Sequence, residues 1–203
     1  MREVVIEHTS GIHLLLGPPS LEVAQGIRPE ALYTIMSGLR RMYDHIVVDA
    51  GSYLNDNTVT LLDTADRVLL VATPDLAALH DATRFVQLSR TLAYPPGKVA
   101  IVLNRAGLLG GVKTADIETA LRHEVFAHIP DDGPTAQRSL NRGIPLILKY
   151  PRSPVSRAIQ KLARDVIAAE AGEPAGATAG KAKATGRWRS RLASPRAGKA
   201  TAS

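Results

Sequence analysis

Four short apolar runs, Ile46–Val48, Val68–Val71, Val99–Leu103 and Val125–Ile129, alternate along the chain with stretches whose apolar residues recur at helical spacing. Unbroken apolar runs of this length are the pattern of strands buried on both faces of a parallel sheet. Short connections and one helix separate each run from the next. The fold class expected is therefore α/β, a parallel sheet flanked by helices.

Local signals fix most of the helices. Pro29 stands in the first-turn position that proline favours, and Leu32, Ile35, Met36 and Leu39 follow at helical spacing. Asn55-Asp56-Asn57 offers capping oxygens to a helix carrying Val59, Leu61, Leu62 and Ala65. Further helices are expected over about 76–92, broken by Tyr94-Pro95-Pro96-Gly97, then over about 114–122 and 134–142. A last one starts near Ser153-Pro154 and places Val155, Ile159, Leu162, Val166 and Ile167 on one face. Ile12–Leu16, between Gly11 and Gly17-Pro18-Pro19, reads as a further strand.

Composition bounds the function classes. The 203 residues suit one α/β domain over 1–169, with a composition of Ala, Gly, Ser, Thr, Pro and basic residues over 170–203 that reads as a disordered tail. With no cysteine, disulfides and thiolate metal sites are excluded. No stretch reads as a signal peptide or membrane span, so the cytoplasm is the expected compartment. Of 25 basic and 19 acidic residues, seven and one lie in 171–203, which leaves 18 of each sign in 1–170. The net charge of +6 belongs to the tail and says nothing of a basic groove on the body, so nucleic acid is an unlikely partner. Trp188 and Leu192 stand four apart among Arg187, Arg189 and Arg191, a pattern that could meet an anionic membrane surface.

Three of the runs end on residues suited to a nucleotide. Asp49 could hold Mg²⁺ through water, with Gly51 letting the next loop approach a phosphate. Asn104, followed by Arg105, presents an amide able to donate to and accept from a purine edge. Pro130 and Asp131 end the next run and could flank the same ring. Taken singly, each could serve as a cap or turn. Their recurrence at successive strand ends is the informative point, because those ends meet on one edge of a parallel sheet.

A phosphate cradle of the G-x-x-x-x-G-K-[ST] type does not occur in these residues. Gly107–Thr114 comes close, but Val112 separates glycine from lysine where the loop must fold tightly, and it reads as a decoy. The histidines show no ligand spacing, and neither a G-x-S-x-G elbow nor a G-x-G-x-x-G turn is present.

Tyr43–Asp49 resembles the Walker B strand of the MinD/ParA superfamily of deviant P-loop ATPases, and most closely its CpaE/TadZ branch. Gly11–Ser20, Leu69–Leu76, Val102–Arg105, Ile129–Asp132, Leu140–Leu146 and Pro151–Pro154 are similar to further segments of that branch, in order, across about residues 9–168. Ala50-Gly51-Ser52 departs from the proline often found there.

The resemblance implies that Asp49 is the Walker B aspartate and metal-side residue, that Asn104 recognises adenine, and that Pro130-Asp131 lies beside the base. It implies ATP and Mg²⁺ as cofactors. It also implies a homodimer or a pilus or cell-division partner, while the tail pattern allows peripheral contact at the inner face of the membrane. By the same resemblance the domain is incomplete at its N-terminus, lacking the Walker A strand that normally lies beside the Walker B strand. Its absence would leave a gap in the sheet or force the Asp49 and Val68–Val71 strands together. The expected function is that of a CpaE/MinD-like protein of tad/Flp pilus assembly or subcellular positioning, unable to hydrolyse ATP by itself. Two alternatives are a non-catalytic module binding a partner ATPase or membrane, and a ParA-like DNA-partitioning protein.

Overall fold

The computed structural model describes residues 4–170. The readings made for the tail lie outside those residues. The chain opens with a hairpin of two short strands, β1 (Ile6–Glu7) and β2 (His13–Leu14), paired antiparallel. A short helix α1 (Leu21–Gln25) leads to α2 (Pro29–Arg40), with proline in its first turn as expected. α3 (Asp56–Thr64) is capped by Asn55, whose side chain accepts from the Thr58 N–H at 2.9 Å.

The sheet follows. β3 (Val68–Ala72), β4 (Val99–Ala106) and β5 (Val125–Pro130) are parallel, side by side in chain order. α4 (Leu76–Thr91) and α5 (Thr114–Leu121) are the crossovers between them. Two crossovers of one hand, stepping in one direction, put both helices on the same face. Ala72, Ile101 and Leu103 accordingly pack with Leu79, Ala82, Val86, Ile117 and Leu121 in the main core cluster. Ile101 and Ile117 are fully buried, each contributing roughly 1.5–3 kcal/mol of hydrophobic stabilisation.

After β5 come α6 (Gly133–Arg142), the short α7 (Leu146–Lys149) and α8 (Pro154–Glu170). α8 covers the other face, where Val102 and Ile129 meet Val155, with Ile159 and Leu162 against them. Neither α1 nor α7 was expected from periodicity, because five and four residues are too few to show it.

Three expectations are corrected. Ile46–Val48 is not a strand buried on both faces: residues 45–50 join no ladder, and Val47 is 96% exposed. A stretch enters a sheet through a hydrogen-bonded neighbour and is buried by helices on the sheet faces, and neither β2 nor β3 hydrogen-bonds to this stretch. Of the two outcomes foreseen for the sheet, direct pairing of this stretch with Val68–Val71 does not occur. Nor is β3 covered on both faces. Its Leu69 and Val71 point away from α4 and remain exposed, because α8 crosses β4 and β5 without reaching the outer strand. Ile12–Leu16 is likewise shorter than expected, with only His13 and Leu14 in a ladder.

Candidate nucleotide site at the strand ends

The carboxyl ends of β3, β4 and β5 place Thr73-Pro74-Asp75, Asn104-Arg105 and Pro130-Asp131 on one edge of the sheet. The register between β4 and β5 slips after Leu103 and recovers at Ala106 opposite Pro130. Inside that bulge Arg105 adopts φ +54, a left-handed conformation rare for a residue with a Cβ. The turn directs the guanidinium across to β5, where Nε donates to Asp131 Oδ1 at 3.0 Å. The Asp131 N–H donates to the Ala106 carbonyl at 3.2 Å, closing the connection from the backbone side.

Asn104 is half-buried, and its Oδ1 accepts from the Arg105 N–H at 3.0 Å. With the carbonyl oxygen engaged, the side-chain NH₂ retains two donors, the complement of the acceptor nitrogens on a purine edge. Asn104, Arg105, Pro130 and Asp131 thus come together as their positions at adjacent strand ends implied.

Asp75 joins this edge and was missed as a site residue. It caps α4, accepting from the Ala78 N–H at 3.0 Å, and takes a second, short bond from the Thr73 hydroxyl. Those two bonds, in that order, and then the nearby Arg105 charge hold its carboxyl below the ordinary aspartate range. The Thr-Pro-Asp sequence was visible as a strand-ending turn. What it lacked was any sign that the Arg105 charge would lie near enough to act on it.

Asp49 stands apart from this group. Its Oδ1 accepts from the Gly51 N–H at 3.2 Å, in a turn where Gly51 has φ +68, and no hydrogen bond or ion pair joins either residue to the β4 and β5 ends among the described residues. Among those residues no group of three or more His, Asp or Glu side chains is placed to hold a metal ion. The exposed Asp49 carboxylate keeps a free oxygen, which suits one ligand of a Mg²⁺ ion otherwise held by water and phosphate.

The Gly107–Thr114 loop is bound into the fold. Leu108, Gly111 and Val112 spend their N–H groups on the carbonyls of Arg105, Leu108 and Pro74, at 3.1, 2.9 and 2.9 Å. Gly111 packs closely there, since a Cβ would lie 3.0 Å from both the Leu108 oxygen and Pro74 Cγ.

No model of a known protein family matches the chain. In sequence it is similar to an uncharacterized ATP-binding protein of Methanocaldococcus jannaschii, at 24% identity over 84% of this chain and 64% of that protein. It is also similar to the septum site-determining protein MinD of Thermotoga maritima, at 29% identity over 81% of this chain and 62% of MinD. Among solved structures, a ParA family ATPase from Chlorobium tepidum superposes with a TM-score of 0.76, at 26% identity over 81% of this chain and 68% of that one. MinD from Pyrococcus horikoshii, solved with Mg-ADP, superposes at 0.69 and 21% identity, a likeness of fold, over 81% of this chain and 68% of that one. These relatives support the MinD/ParA-type ATPase superfamily for this chain. The chain spans about three fifths of the length of the curated relatives it matches.

Proposed function

We propose that residues 1–169 supply the base side and metal side of a nucleotide-dependent switch of the MinD/ParA type, with 170–203 as an appended basic tail. The observation that carries this is the convergence of Asn104, Arg105 and Asp131 across the ends of β4 and β5, tied by the 3.0 Å contact between Arg105 and Asp131. Asn104 reads the purine through its free amide donors, with Arg105, Pro130 and Asp131 around the ring. Asp49 takes Mg²⁺ through water, and Gly51 lets the following turn move as the phosphate changes. Bound Mg-ATP would supply the γ-phosphate whose loss relaxes such loops. A relative named as ATP-binding and a fold neighbour solved with Mg-ADP support this reading.

The 203 residues contain no lysine-bearing phosphate loop, and the Gly107–Thr114 loop has spent key N–H groups internally. Transition-state stabilisation of phosphoryl transfer rests on such donors, so ATP hydrolysis by these residues alone stays near background. Within the superfamily, the Tyr43–Asp49 and Gly11–Ser20 segments favour a CpaE/TadZ-like part in tad/Flp pilus assembly or subcellular positioning. The protein would act in the cytoplasm as a homodimer or with a pilus or cell-division partner. Its tail would touch the inner face of the membrane. A fold neighbour solved as a MinC:MinD complex supports a protein partner.

The test is ATP turnover by the purified chain beside Asp49→Ala. Equal background rates agree with the proposal. Turnover that Asp49→Ala abolishes would contradict it.

A second reading is favoured by the open edge of β3. Leu69 and Val71 expose apolar surface on an edge strand whose outer side joins no ladder among the described residues, which suits a module that binds a partner ATPase.

A further inference from the structure

A second concavity lies at the opposite edge of the sheet from Asn104 and Asp131. It is a pocket of about 250 Å³ between the C-terminal halves of α4 and α5. Its floor is Val86 and Leu121, each 2% exposed, and its rim carries Thr83, Gln87, Arg90 and Arg122. Ligand sites for nucleotides and cofactors run from roughly 300 to 1,000 Å³, so this one is too small for either and fits one or two side chains.

The rim is cationic and uncommitted. Arg90 donates a single bond, at 3.3 Å, to the Arg122 carbonyl. No carboxylate lies within 4.0 Å of either guanidinium among the described residues. Glu118, the nearest acid along α5, is occupied in accepting the Val125 N–H at 2.9 Å. Arg122 also occupies the left-handed position that ends α5, at φ +48, where glycine is the common residue. Arginines near helix C-termini are explained in part by the helix dipole. The dipole does not account for two of them on the rim of one pocket with a buried apolar floor.

We propose that this pocket is a docking site for an acidic, amphipathic segment of a partner protein. A glutamate carboxylate would bridge the Arg90 and Arg122 forks, with Gln87 as a further donor, while its methylenes or an adjacent leucine cover Val86 and Leu121. Arginine forks match carboxylates in two-point geometry, and an uncompensated cationic rim attracts an anion. An arginine over an apolar floor is also the composition of an interface anchor. The proposal is independent of the nucleotide reading, since no residue is shared.

The experiment uses the full chain, isotope-labelled, titrated at low salt with the peptide acetyl-Glu-Leu-Glu-Leu-Glu-amide. The glutamine and lysine counterparts of the peptide serve as controls. Expected are saturable amide shifts centred on Val86, Gln87 and Leu121, absent with both controls. Arg90→Gln/Arg122→Gln should weaken binding at least tenfold, and Arg90→Lys/Arg122→Lys, which keeps charge without the fork, should weaken it less. The cationic tail offers the acidic peptide an alternative, but its residues are intact in both variants. Binding that survives Arg90→Gln/Arg122→Gln, shifts located elsewhere, equal binding of the glutamine peptide, or no binding would each overturn the proposal.

Discussion

Arg105 holds Asp131 at 3.0 Å across the ends of β4 and β5 from a backbone conformation, φ +54, that disfavours any residue but glycine. The side chain and the backbone therefore pull in opposite directions on stability. Left-handed backbone costs a non-glycine residue about 1–2 kcal/mol, while an exposed ion pair returns about 0.2–1 kcal/mol. Arg105→Ala loses the pair and keeps the strain, so it should be destabilised by up to about 1 kcal/mol. Arg105→Gly loses the same pair but relieves the strain, and should be at least as stable as the alanine variant. Urea midpoints for the two variants, with unchanged slopes, decide this. An alanine variant more stable than the glycine one would show that the turn is not strained.

The two faces of the sheet should respond unequally to substitution. Ile101 is fully buried between α4 and α5, and Ile101→Ala should cost about 2–5 kcal/mol. Val71, on the open face of β3, is 60% exposed, and Val71→Thr should change stability by no more than about 0.5 kcal/mol. Thermal or urea unfolding of both variants checks the contrast. A large loss at Val71 would mean that something covers β3 in solution.

Asp75 should mark the acid limb of the stability curve. Its carboxyl is held below the ordinary range by the Ala78 N–H, the Thr73 hydroxyl and the Arg105 charge. A folded value below the unfolded one, about 3.9, gives a contribution fully present above the unfolded value and lost as pH falls through the folded one. Asparagine still caps a helix, so Asp75→Asn isolates the charge. Wild type should exceed the variant at pH 6 and converge on it toward pH 2.5, as read from urea midpoints. A constant gap over that range would assign the effect to capping alone.

Tyr94 sets the alkaline limb. Burial, and then its 2.6 Å hydrogen bond to Asp63, push the phenol well above its usual value. A raised folded value gives stability that is complete below the unfolded phenol value, about 10, and is lost as pH climbs through the folded one. Tyr94→Phe should remove that decline above about pH 10, as followed by circular dichroism. A decline of equal slope in the variant would place its origin elsewhere.

Much of this was legible in the residues. Val68–Val71, Val99–Leu103 and Val125–Ile129 are all in the sheet, and Pro29, Asn55 and Pro154 each stand at a helix start. Periodicity and capping are local, and local signals survive folding. Ile46–Val48 shows the limit of that reasoning: three apolar residues state that a segment would gain by burial, but not that a neighbour is present to bury it. The grouping of Asn104, Arg105, Pro130 and Asp131 followed from strand ends sharing an edge. The turn of Arg105 toward Asp131 did not, because it depends on a register slip that no run of residues encodes visibly. The Arg90 and Arg122 rim was likewise invisible, since its two halves are 32 residues apart.

The central claim is that the ends of β4 and β5 form the base side of a purine-nucleotide site. Titrating the labelled chain with Mg-ADP, alongside Asn104→Ala, tests it most directly. The account predicts amide shifts at Asn104, Arg105 and Asp131, with affinity roughly two- to tenfold lower in Asn104→Ala, about the 0.5–1.5 kcal/mol of a lost neutral hydrogen bond. Shifts confined to other surfaces, or equal binding by the variant, would contradict it.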